Sequence, residues 1–351
     1  MPRINQKKIK MKKNLRNILA VGLGLITTVA FAQDWDVDSR TRIDQSGDND
    51  GQSTAQRVTL GTTWGGSDWG IHLSSDLNYT LGMTGEVGMD IYEAYASTDL
   101  MGYANLTIGR QAINNGSGAL MSSNDWGTDR TTWDGMTFGL NLDMADVSIG
   151  YASMNSGLGA EDNGNMWLNV GGEFSGWNVN LLYMTEEGMT TGGPASDDAA
   201  TGLDISGEIS GATVSASLNT DFGGAEMRVL GLGYAVNDDM GVSVSQTVYD
   251  DESGNDFTMA GTNMDGSWDV TGNLGYQAEG TEVLAYGLTY NMSGISLGAT
   301  MYNVTNDAAG TDTDATELSL GYSLNDNAGL GLSMIDDNDV KYMYVTLNIG
   351  L

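Results

Sequence analysis

Cysteine is absent from this chain of 351 residues, and there are only two prolines and a single histidine. Without cysteine there is no disulfide, no thiolate metal site and no thiol nucleophile. Positive charge is also scarce, with 14 Lys and Arg against 46 Asp and Glu. Seven of the 14 fall in the first 32 residues, which hold no acid, so the remainder carries seven basic residues and a net charge of −39. Those seven are Arg40, Arg42, Arg57, Arg110, Arg130, Arg228 and Lys341. Such a balance argues against nucleic acid and against an anionic membrane surface as partners. Beyond the N-terminus no apolar run approaches the roughly 20 residues of a helical membrane span. Disorder does not fit either, because 40% of the residues are hydrophobic and they recur with a strict period. The 50 glycines lack the triplet spacing of collagen.

What is present begins with an export signal. Lys12, Lys13 and Arg16 form a positive region, residues 18–29 an apolar run, and Ala30-Phe31-Ala32 a small-x-small cleavage site. Residues 1–32 therefore read as a signal peptide with its natural start at Met11. The mature domain is expected to span residues 33–351 and to begin at Gln33, as the mass of the exported protein would show.

After that, apolar and polar residues alternate. The last nine residues place Met343, Val345, Leu347, Ile349 and Leu351 on one face and Tyr344, Thr346, Asn348 and Gly350 on the other. Trp69, Ile71, Leu73, Ser75, Leu77, Tyr79 and Leu81 oppose His72, Ser74, Asp76, Asn78 and Thr80 in the same way. A period of two is a β-strand with one apolar and one wetter face. An exported chain made of little else, nearly free of proline, points to an all-β transmembrane antiparallel barrel of 16–20 strands, an even number, with the apolar face toward lipid. Between Arg228 and Tyr234 the pattern is hardest to follow, because Arg228, Leu230, Leu232 and Tyr234 share one face.

Tight connections at residues 65–68, 100–102, 143–146, 175–176 and 293–294 alternate with longer ones at 46–54, 83–89, 115–130, 156–163, 188–199 and 306–314. Short periplasmic turns and long outer loops account for that asymmetry. Trp35, Trp64, Trp69, Trp177 and Trp268 fall beside strand ends assigned to the periplasmic side, as an interfacial aromatic girdle requires.

The stretch Glu93-Ala94-Tyr95-Ala96, followed by Leu106-Thr107-Ile108-Gly109-Arg110-Gln111, resembles Gram-negative porins. Its continuation, Asn124-Asp125-Trp126, Arg130 and Trp133-Asp134-Gly135-Met136, resembles alginate-export-type porins in particular. The resemblance is specific over residues 91–142 and architectural elsewhere. It implies that the third outer loop, 115–130, folds into the lumen and that Arg110 faces the lumen. Arg110 has the parity of Ile108 on the lipid face, so a bulge at Gly109 is expected to turn it inward. The chain departs from that family in its few basic residues and in ending on Leu351 rather than an aromatic residue.

Three further patterns carry less. Asp44, Asp48, Asp50 and Gly51 resemble part of a calcium loop, but Ala55 stands where a bidentate Glu should close it. The outer-loop acids Glu161, Asp162, Asp197, Asp198, Asp312 and Asp314 offer places to share divalent cations with lipopolysaccharide. His72 and Ser74 resemble the nucleophilic pair of outer-membrane phospholipase, without a third group to orient the base.

The sequence thus predicts a non-enzymatic outer-membrane channel for passive diffusion of small hydrophilic solutes, cation-preferring and without cofactor. Its constriction is expected at Asp125 and Asp129 facing Arg42, Arg57, Arg110 and Arg130. The alternatives are a specific channel for an acidic sugar or polysaccharide and, more remotely, a barrel lipase. Lipid and lipopolysaccharide are the expected surroundings, and the resemblance allows a homotrimer.

Overall fold

The computed structural model describes residues 32–46, 53–82, 87–123, 130–142, 144–153, 164–187, 199–258, 274–338 and 340–350. Eighteen antiparallel strands form one sheet that closes on itself. In chain order they are Ala32–Asp44 (β1), Ser53–Gly65 (β2), Trp69–Thr80 (β3), Gly88–Asp99 (β4), Asn105–Gln111 (β5), Trp133–Leu142 (β6), Ala145–Ser153 (β7), Gly164–Phe174 (β8), Trp177–Glu187 (β9), Ala199–Ile209 (β10), Ala212–Thr220 (β11), Glu226–Ala235 (β12), Met240–Tyr249 (β13), Thr281–Met292 (β14), Ile295–Asn306 (β15), Thr311–Asn325 (β16), Ala328–Asp337 (β17) and Val340–Gly350 (β18). Each pairs with its neighbour in sequence, and β1 pairs with β18 from Asp38↔Gly350 to Asp44↔Tyr344. No sheet edge is left at the seam, which is what a barrel in an apolar medium needs.

The alternation sorts side chains between the outer face and the lumen. Ile71, Leu232 and Ile349 are each 48% exposed on the outer face, whereas Asp76 is buried on the inside. The segment around Arg228 follows the same rule. Leu230, Leu232 and Tyr234 point outward, and Arg228 lies above them beside Asp250 at 3.6 Å. Similar polar contacts border the apolar band elsewhere: Gln246 with Glu282, Asn303 with Asp312 and Asp314, and Lys341 with Asp336.

All the connections predicted to be tight lie at one rim. Ser175-Gly176, Ser210-Gly211 and Ser293-Gly294 turn with positive φ at both residues. That is the two-residue hairpin geometry whose twist matches the strands, and glycine makes it cheap at the second position. The Ser210-Gly211 turn is one the sequence reading passed over. Trp35, Trp64, Trp69 and Trp177 lie near this rim on their strands, as expected. Trp268 lies outside the described residues.

On the lumen side, β11–β16 present cross-strand pairs of very small residues, such as Ser215↔Gly231, Ser243↔Gly287 and Gly298↔Ser319. They leave little side-chain volume on those stretches of the inner wall. Spin labels at Leu232 and Leu347 are expected to be relaxed by oxygen, and labels at Ser243 and Asn348 by a water-soluble nickel reagent. Equal accessibility at all four would mean that the faces are misassigned.

Candidate functional site: a constriction inside the barrel

The connection after β5 enters the lumen. Described residues 112–123 form a self-braced loop: Asn115 N–H donates to Met121 O at 3.1 Å, and Ser123 N–H to the Asn114 side chain at 2.8 Å. Its apex docks on the wall, where Ser117 N–H donates to Asp204 at 2.8 Å on β10. Ser217 on β11 donates to the same carboxylate at 2.6 Å.

The loop is held chiefly by apolar burial. Ala119, Leu120 and Met121 are 7%, 1% and 0% exposed. They belong to one cluster with Trp133, Trp167, Leu182, Met184, Ala200, Met227, Tyr249 and Val283, the inward residues of β6–β14 near the long-loop rim. A second connection, between β13 and β14, also packs inward. Phe257 meets Tyr276 edge-on with ring centroids 5.1 Å apart, and the Tyr276 hydroxyl donates to Ala119 O at 2.5 Å. Burial pushes that phenol well above its ordinary pKa, so it remains a protonated donor. Asp221, in the β11–β12 turn that it braces by accepting from Ala225 N–H at 2.9 Å, fastens this second loop by accepting from Thr258 N–H at 2.8 Å.

This apolar seat departs from the alternation of one apolar and one wetter face, since near the long-loop rim the inward residues of these strands are apolar as well. The signal was present as the apolar triplet 119–121 in the middle of a polar loop, and as Trp133 and Trp167 with inward parity. Their centroids lie 6.0 Å apart.

With the loop seated against β6–β14, the facing wall is β1–β4, and it is polar. Along β1 the lumen face reads Asp36, Asp38, Arg40, Arg42, Asp44. Arg40 pairs across the ladder with Arg57 and lies within Coulombic range of Arg42, Arg57 and Arg130. Arg42 and Arg57 are 9% and 8% exposed, packed among their neighbours on the wall. Arg130, returning from the loop, binds Asp76 through Nε at 2.9 Å and Nη2 at 2.5 Å. Arg42, Arg57 and Arg130 therefore gather on one wall. Asp125 and Asp129 lie outside the described residues.

Arg110 is not part of this group, which corrects the expectation that it faces the lumen. It pairs with Ala94 and Asp134 in unbroken register, on the outer face with Ile108. Gly109 does take φ +132°, and a Cβ there would run into the Ala94 carbonyl, but the ladder shows no bulge at that point. The extra residue sits on β4 instead, where Ser74 pairs with Glu93 and Ser75 with Ile91, leaving Tyr92 over. Arg110 meets Asp134 with two contacts of 2.7 Å and caps the open β4 edge at Ile91 O, 3.2 Å away. Neutralised in this way, it can stay on the outer face.

His72 is directed to Thr63 at 2.8 Å and stacks on Tyr95 at 4.9 Å, with Glu93 3.6 Å from its other nitrogen. Among the described residues Ser74 Oγ makes no hydrogen bond, so the Ser–His nucleophile pair is not formed. Of the calcium-loop fragment only Asp44 is described, and it bonds Ser46. No group of three or more potential metal ligands occurs among the described residues.

Truncating Leu120 to Ala is expected to weaken docking of the loop by about 2–5 kcal/mol. Amide exchange should accelerate across residues 112–123 while strand amides are unaffected. Unchanged loop exchange would show that the apolar seat does not hold it.

No family model matches the sequence, and no curated protein matches it. Solved structures do. The chain superposes on the outer membrane protein OprD of Pseudomonas aeruginosa with a TM-score of 0.67 at 12% identity, covering 93% of this chain and 95% of that one. OccAB3 of Acinetobacter baumannii gives 0.67 at 10% identity over 91% and 99% of the two chains. OccD3 of P. aeruginosa gives 0.64 at 11% over 93% and 92%. At such identities the likeness speaks for architecture, and the architecture is shared along nearly the whole of each chain.

Proposed function

We propose that the protein is a porin of the bacterial outer membrane, exported by its signal peptide and passing small hydrophilic solutes by diffusion through the lumen. The observation that carries this reading is the constriction: an infolded loop seated on one side and a strip of guanidinium groups from Arg40, Arg42 and Arg57 on the other. The outward apolar band, the Trp residues near the short-turn rim and the likeness to an outer membrane protein support the location.

The charges form two layers. Acids dominate overall, and Asp34, Asp68 and Asp99 line a recess at the short-turn rim. The basic strip lies inside, among low-dielectric walls that make each charge count for more. The guanidinium strip also favours a second reading, in which an acidic sugar or a short acidic oligosaccharide is the solute, since Arg binds carboxylates as a planar fork. The low number of basic residues limits how long a polymer could be held.

Salt separates the layers. The Debye length is about 30 Å at 0.01 M and about 3 Å at 1 M. At low salt the acidic mouths should enrich cations, giving the cation preference expected from net charge. At high salt the mouths are screened, and the strip should favour anions. Reversal potentials across a salt gradient in planar bilayers are therefore expected to change sign between the two regimes. Cation preference at every salt concentration would mean that Arg40, Arg42 and Arg57 do not control the pore.

A further inference from the structure

Arg130 stands among the lumen arginines, and its guanidinium is held by residues of three strands. Besides its two bonds to Asp76 on β3, Nη2 reaches Thr59 Oγ1 on β2 at 3.2 Å. The group also lies 3.3 Å from the ring centroid of Tyr92, the extra residue of the β4 bulge. The Arg130 and Asp76 side chains are 8% and 5% exposed. A planar fork bonded along two edges and covered by a ring cannot turn toward a passing anion without breaking those contacts, and Asp76 cancels its charge at short range.

The position in the chain is equally telling. Arg130 is where the infolded loop returns to the wall before β6. The outgoing leg is tied to the same patch, because Ala112 N–H donates to Glu93 on β4 at 3.0 Å. Thr131 N–H then donates to Ser123 O at 2.7 Å, joining the two legs just inside the clasp.

We propose that Arg130 is a positioning residue. With Asp76, Thr59 and Tyr92 it clasps the return leg of the loop to the β2–β4 wall and so sets the bore. The proposal rests on the channel reading given above.

The test compares Arg130→Lys, Asp76→Asn and Arg40→Gln in the full-length mature protein, with heat-modifiable electrophoretic migration as the check on folding. Lysine keeps the charge but can neither fork nor stack as arginine does. Arg130→Lys should raise single-channel conductance and current noise while leaving the reversal potential at high salt unchanged. Asp76→Asn should raise conductance in the same way, reading the clasp from the wall side if Arg130→Lys does not fold. Arg40→Gln should do the opposite, shifting the reversal potential toward cations with little change in conductance. Wild-type conductance and noise in Arg130→Lys, with a reversal shift in Arg130→Gln like that of Arg40→Gln, would overturn the proposal. If the wild-type protein forms no channel, the channel reading fails by itself. The clasp is then judged by the Thr131 amide, which should exchange faster in Arg130→Lys; an unchanged rate overturns it.

Discussion

Pairing of β1 with β18 is the constraint on which the rest depends. An unpaired backbone amide in hydrocarbon costs several kcal/mol, so a sheet can stand in a membrane only if its first and last strands find each other. Here they meet over seven residue pairs, Asp38 to Asp44 against Gly350 to Tyr344. Closure fixes which parity of every strand faces outward. It also brings Arg40 and Arg42 of β1 beside Asn348 and Thr346 of β18, far away in sequence.

A ring of 18 strands leaves a bore wider than the barrel's own side chains fill. The protein narrows it with chain from its loops, and the narrowing is uneven. Apolar side chains on β6–β14 seat Leu120 and Met121, while charged ones on β1–β4 do not. The hydrophobic effect thus pins the loop to one side and leaves the polar strip facing the remaining path. Charge pairs then do different work by location: Arg110 with Asp134 makes a charge tolerable on the outer face, and Arg130 with Asp76 ties a loop down.

Most of the wall was legible because a period of two, read from residues such as Met343, Val345 and Leu347, is a local property. Loop asymmetry was legible too, since turns such as Ser293-Gly294 announce themselves. The interior was less so. Arg110 was expected inside on the porin resemblance, against its own parity and by way of a bulge at Gly109, but the ladder places its extra residue at Tyr92, which no local signal marks. The seat under Leu120 is built from residues scattered from Trp133 to Val283, and only closure assembles it.

The central claim is that solutes pass through this lumen and are sorted at the guanidinium strip. Liposome swelling with a neutral hexose, the matching uronic acid and the matching amino sugar at physiological ionic strength tests it most directly. The account predicts that all three permeate and that the uronate is fastest, its advantage disappearing when Arg40, Arg42 and Arg57 are together replaced by Gln. Permeation of none of the three, or equal rates that the triple replacement leaves unaltered, would contradict it.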